Sequence, residues 1–238
     1  MNLPWQQSDL HPHALSVMED GLDHPDLAQA LAEDLDTFNP PDIIHRYRVV
    51  ALRGQACDAL SANGFAPNRI TQLIDLPLSA QCDPVLAAPP PDHIATHWFR
   101  PGERAPWDGW VQAHWRHYQT THHSNPPRVP KGGLRDVFIG DDLVEGLALR
   151  DGPQGRTRAF ASLREGQELG WIGGDPALLP ATLAACLRRA TAMGWSKATV
   201  EVDDDDHVLW SLIQRLNLTA AQTYVTWHRE RYTDIPSH

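Results

Sequence analysis

From about Leu178 to Arg229 the chain reads as helix, strand, short helix, strand, and this order constrains the fold more than any other feature. Leu179, Leu183, Cys186, Leu187 and Ala190 recur at helical spacing, Arg188 and Arg189 fall on the opposite face, and Gly194 supplies a stop. Ala198-Thr199-Val200-Glu201-Val202 then reads as a strand. Asp203 to Asp206 precede a helix over 207–216, where carboxylates favour the positive end of the helix dipole and cap free N–H groups. Leu209, Leu212, Ile213 and Leu216 form its apolar stripe, and Tyr224 to Trp227 read as the last strand. Strands alternating with amphipathic helices predict a layered α/β (α+β) domain.

The first quarter carries a weaker copy of the same order. Leu27, Ala28, Leu31 and Leu35 make one stripe of a helix over 26–36, with Asp23 as a cap, Pro25 at its first positions and Asn39-Pro40-Pro41 as its end. A strand over 47–52, a short helix over 54–63 closed by Gly64, and an extended stretch over 70–75 follow. Identity between the two ends is slight, so duplication rests on pattern, and a common α/β arrangement also generates that pattern. Residues 1–13 lack a sustained period and read as a loose arm. Residues 77–92 contain five prolines and form the best boundary candidate. This divides the chain into a truncated half-domain and linker, 1–85, and a larger domain, 86–238.

Between the two copies, Ile94 to Phe99 has strand character. The stretch from Asp108 to Tyr118 reads as a helix crowded with Trp110, Val111, His114, Trp115 and Tyr118, with Trp107 just before it. Asp136 to Phe138 and Leu143 to Leu149 are short strand candidates. Thr157 to Leu163 and Glu168 to Ile172, joined through Arg164-Glu165-Gly166-Gln167, form a hairpin signal that Gly173-Gly174-Asp175-Pro176 ends.

Composition narrows the function classes. Asp and Glu number 30 against 20 Lys and Arg, which disfavours a broad phosphate footprint and predicts no nucleic-acid partner. No apolar run approaches the roughly 20 residues that span a bilayer, so no membrane partner is expected and the location is read as cytoplasmic. Three widely spaced cysteines, Cys57, Cys82 and Cys186, read as buried or partly buried free thiols. His114, His117, His122 and His123 with Asp108 suggest a metal site, yet no second ligand motif fixes a geometry, and a His/Trp-rich helix lining a pocket is the preferred reading; no metal is expected. Asp203 to Asp206 lack the alternating ligands, central glycine and distal glutamate of a helix-pair calcium loop and read as helix capping.

Ala159-Phe160-Ala161-Ser162-Leu163, then Glu168-Leu169-Gly170-Trp171-Ile172-Gly173, Asp175-Pro176 and the long helix resemble, in that order, the GCN5-related N-acetyltransferase family. His123-Ser124-Asn125-Pro126-Pro127 resembles a loop of its tandem members, and residues 24–76, with Ala62-Asn63-Gly64-Phe65, resemble the second half of another such domain. The resemblance implies a mixed, twisted, splayed sheet flanked by helices, with an N-terminal partial copy. It implies an acetyl-CoA thioester in the splay, with its pyrophosphate on the N-terminus of the following helix, where unpartnered N–H groups face the anion. Trp171, Ile172, Gly173, Gly174, Ala177, Leu178 and Leu179 are the positions that would line this donor site.

The chain departs from the family pattern at that helix. Gly174-Asp175-Pro176-Ala177-Leu178-Leu179-Pro180 replaces an Arg or Gln, two spaced small residues and a glycine-rich turn, Asp175 repels phosphate unless it points away, and Pro176 and Pro180 each lack a donor. Glu168 stands where some relatives place a general base, but the preferred reading is an exposed strand-end glutamate, because position alone does not establish a raised pKa. The family's late-helix tyrosine is replaced by Ile213, leaving Tyr224 as a substitute acid only if its hydroxyl turns toward the cleft. Trp107, Trp110, Trp115 and His114 read either as an acceptor pocket or as core packing. The expected function is acetyl transfer from acetyl-CoA to a small-molecule amine. The alternative is a noncatalytic module with a degenerate donor site. Partial sheets leave edges to cover, so a homodimer is also expected.

Overall fold

A computed structural model of the protein describes residues 3–18, 22, 26–37, 40–41, 43–87, 89–103, 107–122 and 125–231. Asp23, Pro25, Asn39, His123 and Ser124, to which the sequence assigned caps, a helix end and a loop, lie outside the described residues. The first elements in chain order are β1 (Gln6–Gln7), β2 (Ala14–Val17), α1 (Leu27–Thr37), β3 (Arg46–Leu52), α2 (Cys57–Ala62), β4 (Ala66–Leu76) and β5 (Ile94–Phe99). They are followed by α3 (Trp107–Thr121), α4 (Leu134–Ile139), β6 (Leu143–Asp151), β7 (Thr157–Arg164), β8 (Glu168–Gly174), α5 (Leu179–Ala192), β9 (Ala198–Asp203), α6 (His207–Arg215) and β10 (Ala220–Glu230).

These elements form two compact units that do not follow chain order. One comprises Met1–Thr71, Ser124–Pro130 and Gln222–His238, the other Gln72–His123 and Lys131–Ala221. Two strands are divided between the units: most of β10 falls in the first, and the end of β4 in the second.

In the first unit β3 is paired on both edges. β2 runs parallel to it, with Ala14 opposite Arg46 and Val17 opposite Val49. β10 runs antiparallel, with Tyr224 opposite Leu52 and Glu230 opposite Arg46. Val49, Val50 and Ala51 are successively buried rather than alternating, so both faces of β3 are covered there. Val17, Leu31, Ile44, Val49, Leu60 and Trp227 form the core of this unit. α2 begins later than the sequence pattern predicts because Ala56 sits at φ 56°, a left-handed conformation that interrupts the helix.

The arm over residues 1–13 is a correction to the sequence reading. Its Gln6 and Gln7 pair with Ser16 and Leu15, and Leu3 is buried. The Asp34 carboxylate, itself buried on α1, accepts from the Leu3 N–H at 2.7 Å and from Trp5 Nε1 at 2.9 Å. A side chain 29 or 31 positions away holds this segment, so local periodicity carries no sign of it.

In the second unit β5, β6, β7 and β8 pair antiparallel in succession, and β8 then pairs parallel with β9. The end of β4 is tied to β9 through Asp75, which receives Lys197 Nζ at 2.7 Å and the Thr199 hydroxyl at 3.2 Å. Leu179, Leu183, Cys186 and Leu187 of α5 and Leu209, Leu212 and Ile213 of α6 pack over one core with Leu147, Leu163, Val200 and Val202. The proline-rich stretch joins this core through Leu78, Val85 and buried Leu86. Glu145, nearly inaccessible on β6, binds Arg189 of α5 through two hydrogen bonds of 2.5 and 2.6 Å and Arg100 at 2.9 Å.

Two further expectations change. The segment read as a strand over Asp136 to Phe138 is part of the helix α4, bounded by Gly133 and Gly140, with Phe138 fully buried. Three residues are too few for a period-two pattern to distinguish a strand from a helical turn. Cys82 is exposed, whereas Cys186 is buried and its thiol is pushed up to about 12 by burial. Among the described residues, no helix is long and apolar enough to cross a membrane.

Candidate functional site

The second unit opens where β8 leaves β9. Their pairing is confined to Glu168 opposite Thr199 and Leu169 opposite Val200, although both strands continue. On its other edge β8 stays with β7 as far as Gly174, through a bulge. Ser162 faces Gly170 and Phe160 faces Gly173, so Ala161 alone opposes both Trp171 and Ile172, and Trp171 is driven to φ 50°. A bulge adds local twist and turns the following residues out of register, so the divergence from β9 has a local cause. Beyond Leu169 and Val200 no register pair joins the two strands.

α3 covers one face of this opening. A Cβ added at Gly173 would lie 2.6 Å from His117 Cδ2 and 2.7 Å from Phe160 Cζ, so only glycine permits the imidazole to approach the strand this closely. The Asp206 carboxylate, just after β9, accepts from His117 Nε2 at 2.9 Å. Its other oxygen accepts from the Leu209 N–H at 3.1 Å and caps α6, as the acidic run predicts. Side-chain exposure is 21% for His117 and 10% for Asp206, so the pair is shielded but reachable from solvent.

One turn earlier on α3, His114 is 1% exposed between the rings of Trp110 and Phe160, at centroid distances of 3.9 and 3.8 Å. Its Nδ1–H donates to the Trp110 carbonyl at 3.0 Å. Burial holds its pKa well below the ordinary value, against the opposing effect of the Trp110 carbonyl. Trp107, Trp110 and Trp115 are also buried, and Trp110 Nε1 donates to the Leu147 carbonyl at 3.0 Å. These side chains pack the interior, which settles the choice between pocket and core for them.

The donor-site positions split between core and surface. Ile172, Leu178 and Leu179 bury their side chains, leaving only backbone for a ligand. Trp171 is partly exposed, with Tyr118 and Phe138 edge-on at 5.1 and 5.4 Å. Gly174, at φ 114°, has the Arg158 carbonyl 2.3 Å from where a Cβ would stand, so its glycine requirement comes from β7. Asp175 accepts from the Ala177 N–H at 3.0 Å and pairs with Arg158 at 2.5 Å. Its charge is thus neutralised, while its carboxylate takes the first donor of the helix start. A single turn of tighter helix, Pro176–Leu178, leads into α5.

The two sequence-derived catalytic candidates fall in different units. Glu168 is exposed at the first residue of β8, at the closed end of the opening. Shielding of its carboxyl raises its pKa, Arg164 opposes this and Asp142 adds to it. Tyr224 belongs to the first unit, opposite Leu52, and its hydroxyl donates to Gln222 at 2.8 Å. Ile213 is buried in the core. Among the described residues no group of three or more His, Cys, Asp or Glu side chains is placed to hold a metal ion. The pair sequence reasoning missed is His117 with Asp206. The sequence marks one by histidine spacing and the other as a cap, but nothing joins positions 89 apart.

No family model matches the sequence, and no curated protein matches it significantly. Solved structures do share its architecture. A GCN5-related N-acetyltransferase from Sphaerobacter thermophilus is 16% identical over 95% of this chain and 76% of its own, with a TM-score of 0.59. One from Kribbella flavida is 13% identical over 99% and 90%, with a TM-score of 0.58. A tandem GNAT protein from the clavulanic acid biosynthesis pathway is 12% identical over 93% and 77%, with a TM-score of 0.57. At such identities the likeness is one of fold.

Proposed function

On a GCN5-related N-acetyltransferase fold, we propose that this chain transfers an acyl group, in the first instance acetyl, from a coenzyme A thioester to the amine of a small molecule. The observation that carries the reading is the opening of β8 from β9 after Leu169 and Val200. Backbone N–H and C=O groups along a strand edge require partners. An extended thioester arm bearing amides supplies them in the way an added strand does. Holding the thioester there beside an amine converts a bimolecular attack into a local one, which lowers the barrier by proximity.

The arm of acetyl-CoA suits these edges, whereas its pyrophosphate suits the start of α5 less well. Asp175 already accepts the Ala177 N–H, and Pro176 and Pro180 have none to offer. The reading therefore assigns donor recognition mainly to β8, through the backbone of Trp171 to Gly174, and to the helix only where Asp175 yields. Cytoplasmic location and a homodimer formed through an unpaired edge strand belong to the same proposal; light scattering on the eluted protein tests the dimer.

Isothermal titration of the folded protein with acetyl-CoA, followed by thiol-release assays over a panel of primary amines, tests the function. Saturable binding with amine-dependent thiol release is expected. A folded protein that shows no saturable binding refutes the proposal.

A further inference from the structure

We infer that His117, held by Asp206, is the base that takes the proton from the acceptor amine at the open end of the β8 and β9 pair. The inference rests on the acyltransferase reading of that opening and adds to it the group that moves the proton. The assignment differs from the two sequence-derived candidates: Glu168 sits where the strands are still paired, and the Tyr224 hydroxyl donates to Gln222.

Three observations converge on His117. First, its ring lies against Gly173, within the stretch of β8 that has parted from β9. Second, Asp206 follows the end of β9, so the 2.9 Å hydrogen bond runs between α3 and the start of α6 at the mouth of the opening. Third, a carboxylate only accepts, so Nε2 carries the proton of the neutral ring and Nδ1 is left with its lone pair. Among the described residues Nδ1 has no hydrogen-bond partner, and the ring is accessible. A base on a partly exposed ring, an orienting carboxylate and a lone pair that no described residue engages are the arrangement that general-base catalysis requires. Asp206 is a positioning residue, because it acts through the imidazole.

The step balances with the amine and thioester alone. The amine nitrogen forms a bond to the acyl carbon, the carbon–sulfur bond breaks, and sulfur leaves with the bonding pair. His117 Nδ1 takes the proton released by nitrogen and the imidazolium returns it to the thiolate, giving amide and free coenzyme A thiol. His114, the buried neighbour on α3, is held neutral by its surroundings and takes no part.

The test uses the full chain, with His117→Gln and Asp206→Asn. Asparagine also caps helices, so α6 is retained. Its amide, however, donates to Nε2 and forces the proton onto Nδ1, removing the lone pair. Acetyl-CoA is the donor, and ethanolamine, putrescine, phenethylamine and glucosamine are the acceptor probes. Circular dichroism and thermal melts check folding. Where an amine is acetylated, both variants are expected to bind acetyl-CoA within about threefold of the parent and to lose about 100-fold or more in kcat. A loss below about tenfold in either overturns the inference and leaves the acyltransferase reading standing. Tenfold tighter donor binding by His117→Gln also overturns it, because the pair then closes the opening. Where acetyl-CoA binds but none of the probes reacts, long-range proton–nitrogen NMR decides. The parent ring protonated on Nε2 and the Asp206→Asn ring on Nδ1 support the assignment; a parent ring protonated on Nδ1 overturns it. Failure of the parent to bind acetyl-CoA removes the acyltransferase reading itself.

Discussion

The Asp175 carboxylate lies 2.5 Å from the Arg158 guanidinium while also accepting the Ala177 N–H at 3.0 Å. An acidic side chain thus occupies the place at a helix start where an anionic ligand would find its donors. Replacement by alanine frees both partners at the cost of a helix cap, about 1 kcal/mol of stability. Asp175→Ala is expected to bind acetyl-CoA about tenfold more tightly, roughly 1.4 kcal/mol, by isothermal titration. Unchanged affinity would show that the pyrophosphate does not approach this turn.

Asp34 holds the N-terminal arm through Leu3 and Trp5. Asp34→Ala leaves a buried backbone donor without its acceptor and releases the indole. A loss of about 2 kcal/mol is expected in urea denaturation. Limited proteolysis ahead of β2 should become faster than in the parent; equal cleavage rates would contradict this account of the arm.

Glu145 is 2% exposed and draws Arg189 and Arg100 together on β6. Its two partners keep more solvent contact, so Glu145→Ala strands no fully buried cation, and a cost of about 2 kcal/mol is expected rather than the larger penalties of fully buried pairs. Hydrogen bonding from Arg189 lowers the Glu145 pKa, and Arg100 adds to this. A depressed carboxyl contributes stability above its unfolded value of 4.5, which is lost as pH falls through the folded pKa. Melts of the parent and variant should therefore converge at acid pH.

His11 and His228 of the first unit titrate far below their ordinary value of 6.5, at about 4 and about 3. Burial is the main cause at both, with Arg48 and Arg69 disfavouring the charged ring at each and Arg46 also at His228. The unfolded chain takes up protons below 6.5 while the folded one does not, so stability is full above that pH and falls as pH drops toward 4. The slope is at most about 1.4 kcal/mol per pH unit for each histidine. Urea denaturation at pH 7.5 and pH 5 should show this loss, and a His11→Gln and His228→Gln double variant should flatten it.

The terminal unit was legible because its signals are local. Helical spacing of Leu179, Leu183, Cys186 and Leu187 and a glycine after α5 mark that helix without tertiary help. The β7 and β8 hairpin was legible through Gly166, which turns at φ 73°. α4 was misread because Asp136 to Phe138 is too short to carry a period, and the arm because Asp34 anchors it from outside its own stretch.

Local sequence was enough to mark α1, β3, α5, β9, α6 and β10 and the order in which they follow, since those elements depend on neighbours a few residues apart, whereas β1 and β2 carried no such sign. Only the folded chain pairs β10 with β3 and brings His117 to Asp206. Each of these joins residues far apart in the chain, and which strand edges meet depends on packing that no local period encodes.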